Sequence, residues 1–168
     1  CEINPAPGSY PGEVLILQPA ASGDVVRLFH DGSSDHILKS TTTDGVAIFG
    51  FVVPAVPANV IAFDFDAASA VRVRDVTFEE AHGTAVRTRH VASATLQRNW
   101  IMIGTGGFDL EATKGDVLEN IGISSTMTID NLNVERNLFG GGHFSGNNTV
   151  LSNIFLEPVT FPDITFCR

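Results

Sequence analysis

Aliphatic residues return every 22 to 25 positions along much of this chain of 168 residues. Six-residue segments with an aliphatic first residue and an apolar sixth recur at 48–53, 73–78, 96–101, 118–123, 129–134 and 151–156. One short strand cannot bury its apolar side alone, but copies stacked about 4.8 Å apart form a parallel ladder with a continuous core. The interval therefore predicts an all-β solenoid of about six rungs. The segments at 118 and 129 start only 11 residues apart, so one of them is expected on a different face.

Four of the six segments carry Asp or Asn as their third residue, and the strand is expected to bend there. Around the bend at Asp75, the residues expected to face inward are Val71, Val73, Val76 and Phe78, and those expected to face outward are Arg72, Arg74 and Thr77. Asp and Asn suit such a bend because they tolerate the left-handed backbone region. Stacked bend residues at Asn120, Asn131 and Asn153 predict part of an asparagine ladder.

The segments 71–78 and 149–156 resemble the rungs of right-handed parallel β-helix proteins of the pectate-lyase-like superfold. The resemblance covers about residues 46–156 and matches no individual family or active-site motif. It implies a right-handed parallel β-helix. The alternative is a β-sandwich whose strands recur at the same spacing.

Residues 1–45 fit the repeat poorly. Four prolines, Pro5, Pro7, Pro11 and Pro19, predict an extended N-terminal arm, and apolar runs at 14–17, 25–29 and 36–39 predict an irregular first rung or a cap. Residues 46–168 are expected to form the β-helix, closed by a strand over 159–166. The two parts are expected to make one structural domain.

Composition indicates a folded, exported protein. Hydrophobic residues make up 43% of the chain, yet no apolar run approaches the roughly 20 residues of a membrane span. The net charge of −9 disfavours binding to nucleic acid or to anionic membranes. The opening Cys1, in place of a methionine, favours removal of a signal peptide, which predicts a secreted or cell-surface protein. A chain trimmed for expression would look the same.

The two cysteines, Cys1 and Cys167, lie at opposite ends of the sequence. Six stacked rungs would separate the chain ends by roughly 25 to 30 Å, whereas a disulfide needs Cα atoms within about 7 Å. An arm that folds back could close a bond within the monomer. Cys1 of one copy could instead join Cys167 of the next, or Cys1 could carry a lipid anchor.

Self-association is the main functional prediction. Rung edges are translational copies of one another, so head-to-tail stacking would form a filament. Together with the terminal cysteines, this favours a non-enzymatic structural or adhesive protein of a cell-surface or viral assembly.

A basic patch supports the alternative, a β-helix that binds or cleaves an acidic polysaccharide. Arg72, Arg74, Arg87 and Arg89 are expected to face outward, with Trp100 as a stacking platform, and arginine forks match carboxylates and sulfates. The less specific interpretation is that the arginines of this region, Arg98 included, pair with Asp75, Glu79 and Glu80.

Catalytic and cofactor signals are weak. Asp64, Asp66 and Asp75 could serve as an acid and base in a glycosidase or lyase, although Asp is common at bends. The sequence has no zinc spacing, calcium loop or phosphate-binding loop, so no metal or cofactor is expected. Asn147 opens a glycosylation sequon, which has meaning only in a glycosylating host.

Overall fold

The computed structural model describes residues 15–19 and 24–160 and is all-β within these ranges. Its strands are β1 (Leu15–Leu17), β2 (Val26–Arg27), β3 (His36–Ser40), β4 (Val46–Phe49), β5 (Phe51–Val56), β6 (Ile61–Asp66), β7 (Val71–Arg74), β8 (Thr77–Ala81), β9 (Thr84–Gln97), β10 (Trp100–Ile103), β11 (Phe108–Leu118), β12 (Ile121–Asp130), β13 (Asn133–Glu135), β14 (Leu138–Ser145), β15 (Thr149–Leu151), β16 (Ile154–Phe155) and β17 (Val159–Thr160). The strands belong to one sheet, and every pairing between described strands is parallel.

The pairings fall into three series, A, B and C. The chain runs through the three series repeatedly and in the same order, and we call one such circuit a pass. Series A joins β1, β4, β7, the ends of β9 and β11, β13 and β15. Series B joins β2, β5, β8, β10, the starts of β12 and β14, and β16. Series C joins β3, β6, the starts of β9 and β11, the ends of β12 and β14, and β17. The large parallel sheet therefore curls, which is compatible with a β-helix-like fold.

The inward side of each strand forms the core. Along β7, Val71 and Val73 are buried, Arg72 is exposed and Arg74 is half-buried. This is the alternation expected of a strand with one buried and one solvent-exposed face. Aromatic rings from different series meet inside the curl: Phe63 and Phe78 lie 5.6 Å apart between ring centroids, and Phe108 and Phe139 lie 5.3 Å apart. Large apolar side chains thus fill the space between the series.

The register confirms the first part of the predicted repeat and corrects the rest. Ile48, Val73 and Leu96 lie opposite one another in series A, as the alignment requires. Val117, and not Leu118, lies opposite Leu96. The register then continues through Val134 and Val150. The chain thus returns to series A after 25, 23, 21, 17 and 16 residues, so a constant period misplaces the later segments.

The segment that begins at Ile129 is the one on a different face. Ile129 pairs with Leu110 and Phe144 in series C, whereas Val134, five residues later, is in series A. The half-period step between 118 and 129 predicted that one of the two segments would differ in this way.

The step from series A to series B has a constant length in six passes. In each of these passes, a residue paired in series A is followed four positions later by a residue paired in series B. The series A residues are 48, 73, 96, 117, 134 and 150, and the series B residues are 52, 77, 100, 121, 138 and 154. The step from series B to series C shrinks instead, from 11 residues between Val52 and Phe63 to four between Leu138 and Gly142.

The all-parallel pairing of the described strands differs from the predicted alternative, since a β-sandwich is built from antiparallel sheets.

Strands β1, β2 and β3 pair with β4, β5 and β6, so described residues before 46 join the same sheet. The division of the chain at residue 45 stays a prediction. Much of the predicted N-terminal arm lies outside the described residues, and so does the predicted closing strand over 159–166 except for Val159 and Thr160, which form β17. Within the described part, no helix is long and apolar enough to cross a membrane.

Candidate functional site

In the six passes from β4 onward, the corner between series A and series B is formed by one residue with positive φ. These residues are Gly50 (φ 71°), Asp75 (φ 56°), Arg98 (φ 52°), Glu119 (φ 58°), Arg136 (φ 54°) and Ser152 (φ 53°). Non-glycine residues adopt this region rarely, so the surrounding contacts must hold the backbone there. The predicted bend at Asp75 coincides with this corner.

An asparagine ladder holds the corner in place. Asn99, Asn120 and Asn137 are buried, and each Nδ2 donates to the Oδ1 of the asparagine in the next pass over 2.9 Å, ending at Asn153. The same Oδ1 atoms accept the backbone N–H of the preceding pass over 2.8 to 2.9 Å. Further Nδ2–H groups donate to strand carbonyls, including those of Val73 and Leu96, and so satisfy the buried amides.

The predicted ladder is correct at Asn120 and Asn153 and wrong at Asn131. Asn131 has φ 60° and lies at the corner between series C and series A, where its Oδ1 accepts the backbone N–H of Asn147 over 2.9 Å. Asn99 and Asn137 complete the ladder. Asn137 follows Val134 by three residues, as Asn120 follows Val117, but the shortened period conceals this equivalence in the sequence.

Alternating charges cover the outer face of series C. Asp64, Arg87 and Asp109 are adjacent in the register of β6, β9 and β11. Arg87 donates to both carboxylate oxygens of Asp64 over 2.8 and 2.9 Å, and the Asp64 side chain is almost completely buried. The hydrogen bond to Asp64 raises the pKa of Arg87. Arg89 donates through Nη2 to Oδ2 of Asp109 and through Nη1 to the backbone carbonyls of Thr88 and Asp109.

Two histidines extend this charged face. Nδ1 of His90 donates to Oδ1 of Asp66 over 2.9 Å, and this hydrogen bond raises the pKa of His90 and lowers the pKa of Asp66. Nε2 of His36 lies 2.9 Å from Oδ2 of Asp64, but the geometry is not that of a hydrogen bond. The two groups are close neighbours without a hydrogen bond between these atoms.

The predicted ligand-binding residues are divided among three surfaces. Arg72 and Arg74 lie on β7 in series A, Arg87 and Arg89 on β9 in series C, and Trp100 on β10 in series B. The structure brings Arg87 and Arg89 to one face but does not gather the five residues into one groove. Their role in ligand binding stays a prediction.

Most arginines of the basic patch meet a partner on the protein itself. Arg98 donates to both oxygens of Asp75 over 2.7 and 2.9 Å, across neighbouring passes. Glu79 binds Arg27, and Glu80 binds His82. Arg74 places its guanidinium carbon 5.8 Å from the centroid of the Phe49 ring. Carboxylates thus occupy the forks of Arg87 and Arg98, and Arg89 binds one carboxylate oxygen and two backbone carbonyls.

The three carboxylates suggested as an acid and a base are also engaged. Asp64 accepts from Arg87, Asp66 from His90 and Asp75 from Arg98. Asp64 and Asp66 lie on β6 in series C, whereas Asp75 lies at the corner between series A and series B. Catalysis by these residues stays a prediction.

The described surface includes an open cleft beside series C and a smaller one at a neighbouring corner. The larger, of about 450 Å³, is lined by His90, Val91, Glu111, Ala112, Thr113, Asp130 and Asn131. The smaller, of about 310 Å³, lies at the corner between series B and series C beside Gly83, Gly106 and Gly107. No group of three metal-ligating side chains occurs among the described residues.

The outer face of series B carries large apolar side chains, which sequence reasoning missed. We call this the apolar stripe, and it consists of Trp100, Met102, Ile103, Ile121, Ile123, Ile154 and Leu156. Trp100 lies directly opposite Ile121, and Leu138 connects Ile121 to Ile154 in the register. The sequence does indicate this exposed apolar surface at 100–103. Four consecutive apolar residues there break the alternation expected of a strand with one solvent-exposed face.

The remaining predicted sites differ in what the structure shows. Asn147 is exposed in the turn between β14 and β15, next to Gly146, which has φ 69°. Cys1 and Cys167 lie outside the described residues, so the pairing of the cysteines and the lipid anchor stay predictions.

Comparison with known proteins adds no family to these observations. A scan against protein-family models, a search of curated proteins and a search of solved structures each found no match.

Proposed function

We propose that the protein is a right-handed parallel β-helix that serves outside the cell as a structural or adhesive subunit and assembles end to end with copies of itself. The handedness follows from the rule that crossover connections between parallel strands are right-handed in about 98% of cases. The location outside the cell rests on the sequence prediction of export.

The first and last passes carry the assembly proposal. Among the described strands, β1, β2 and β3 pair on one side only, and so do β15, β16 and β17. Unpaired strand edges are templates for pairing with another chain. The strands of series A and series B have the same lengths at the two ends, three residues in β1 and β15 and two in β2 and β16.

Binding of an acidic polysaccharide has less support. Arg87 and Arg89 already face Asp64 and Asp109, and Glu111 and Asp130 line the larger cleft. These carboxylates would repel a polyuronate.

The decisive variant is Val150→Pro. The N–H of Thr149 donates inward to the carbonyl of Leu132, and alternate residues of a parallel strand point to opposite neighbours, so the N–H of Val150 points to the open edge. Proline removes this N–H but no bond within the protein. Val150→Ala is the matched control, because it shortens the same side chain and keeps the N–H.

The assay is electron microscopy with analytical ultracentrifugation, with and without reductant. Wild type and Val150→Ala are expected to form filaments. Val150→Pro is expected to remain as small particles that do not extend into filaments. Loss of filaments in reductant alone would assign the contact to the cysteines instead. Strictly monomeric wild-type particles would refute end-to-end assembly.

A further inference from the structure

The apolar stripe is unusually large for a surface of a protein with this charge. Its seven side chains are between 39% and 64% exposed, and none carries a charge. Together they expose on the order of 700 Å², more than the roughly 300–600 Å² of the largest apolar patch on a typical monomer. A specific dimer buries about 800 Å² on each partner. The stripe thus has nearly the area that one stable interface needs.

The stripe is ordered in the way a self-complementary interface requires. Trp100 and Ile121 are direct neighbours in the register, so adjacent passes place them about 4.8 Å apart. Met102 and Ile123 follow each of them by two positions on β10 and β12 and are also exposed. A second copy rotated by a two-fold axis would present the same rows, and side chains of one copy could enter the gaps between rows of the other.

Charge favours a second copy at this face over the charged outer face of series C. The chain carries a net charge of −9, so two copies repel one another wherever carboxylates meet. On the outer face of series C, the part-exposed carboxylates of Asp109 and Glu111 would oppose such contact. The stripe itself contains no charged residue, and Glu80 lies at its edge as the register neighbour of Ile103. Contact through the stripe therefore buries apolar surface with less of that repulsion.

We propose that the apolar stripe is a lateral interface through which two copies of the chain associate side by side, related by a two-fold axis. This interface lies on the outer surface of series B, whereas the proposed end-to-end contact uses the edges of the first and last passes. The two contacts are independent, and an experiment can remove one and keep the other.

The only tryptophan of the chain reports directly on this interface. Trp100 lies within the stripe and is 48% exposed. Dimerisation through the stripe removes its indole from water, so its fluorescence maximum is expected to shift to shorter wavelength as the protein concentration rises. Sedimentation equilibrium on the same samples gives the dissociation constant.

Two lysine substitutions on β12 provide the variant and its control. Ile123→Lys puts a charge into the stripe, where the proposed interface would bury it without a partner. Thr128→Lys puts the same charge on the outer face of series C, where Asp109 is its neighbour. We expect Ile123→Lys to weaken dimerisation at least about a hundredfold, since burial of an unpaired charge at an interface is strongly unfavourable. Thr128→Lys is expected to dimerise as wild type does, and circular dichroism confirms that both variants fold.

The outcomes separate this interface from end-to-end assembly. A concentration-dependent shift that persists in Val150→Pro and disappears in Ile123→Lys supports the lateral interface. A shift that survives Ile123→Lys, or is lost in Val150→Pro, overturns it. A wild-type protein whose Trp100 emission does not change with concentration also overturns it and indicates that another part of the same chain covers the stripe.

Discussion

The pair of Asp66 and His90 is the clearest source of pH dependence at the scale of single residues. The hydrogen bond between them raises the pKa of His90, and the charge of Asp66 adds to this effect. Glu111 raises the pKa of His90 further, whereas Arg89 lowers it. The same hydrogen bond lowers the pKa of Asp66. Both side chains are open to water, so the effect on folding is small.

The sign of this effect is opposite at the two ends of the pH range. The contribution of His90 is complete below its ordinary pKa of about 6.5 and is lost as the pH rises through its raised pKa. The contribution of Asp66 is complete above its ordinary pKa of about 3.9 and is lost as the pH falls through its lowered pKa. The pair therefore stabilises the fold most between these two values.

Asp66→Asn is expected to return the pKa of His90 toward its ordinary value, because the charged partner is gone. Titration of the His90 imidazole by NMR measures the shift. The urea midpoint of the variant should fall below that of wild type near pH 5.5, and the difference should shrink at pH 9. Asp24→Asn removes the same charge from an exposed position and serves as the control. An unchanged His90 titration in Asp66→Asn would contradict the assigned pairing.

At this scale the sequence predicted the bend at Asp75 but not its equivalents at Arg98, Glu119 and Arg136. Asp tolerates positive φ, so it marks a bend by its chemistry. Arg and Glu carry no such preference, and here the hydrogen bonds of the next residue, an asparagine, hold them in place. A preference imposed by neighbouring passes cannot be read from the residue itself.

The asparagine ladder acts at the scale of elements, because each amide joins strands of different passes. Asn120→Ala is expected to destabilise the protein by about 3 kcal/mol, since it leaves the backbone N–H and one of the two Nδ2 hydrogens of Asn99 buried without an acceptor. Chemical denaturation measures the change in the free energy of unfolding.

The control for this prediction is Asn133→Ala. Asn133 is exposed, and its Nδ2 makes one hydrogen bond, to Asp116 over 3.1 Å, so its replacement should cost no more than about 0.5 kcal/mol. Equal losses in the two variants would show that the ladder adds nothing beyond an ordinary surface contact.

The sequence predicted the elements better than their alignment. Ile48, Val73 and Leu96 were placed in register because their passes are nearly equal in length. Later passes lose residues mostly between series B and series C, and an alignment with a fixed interval cannot locate such losses. The assignment of Asn131 to the ladder failed for the same reason.

At the scale of the whole molecule, stability should vary along the stack. End passes contact one neighbour, whereas middle passes contact two, and in stacked repeats each unit is stabilised by its neighbours. The amides of Leu28 and Thr149, in the first and last passes, should exchange hydrogen faster than those of Trp100 and Leu138.

Hydrogen exchange followed by NMR provides the measurement. All four amides donate to a backbone carbonyl of an adjacent pass, so a difference reports on stacking and not on the presence of a hydrogen bond. Equal protection of the four would indicate that the described part unfolds as a single unit.

The whole-molecule prediction of parallel stacked strands agrees with the pairing, but the candidate site was poorly predicted. Clustering of Arg72, Arg74, Arg87 and Arg89 in the sequence suggested one groove. Successive strands of one pass face different directions, so residues 13 to 17 positions apart lie on different surfaces. Nearness along the chain therefore does not indicate a shared face, whereas the interval of one pass does.

The constant four-residue step between series A and series B has a consequence for how such a chain can change length. An added residue there would move the asparagine out of line with its neighbours and turn outward side chains toward the core. Between series B and series C, by contrast, the length of the step already differs by up to seven residues among the passes of this chain. Insertions, including grafted peptides or tags, belong at that second junction, which makes it the adaptable side of the molecule.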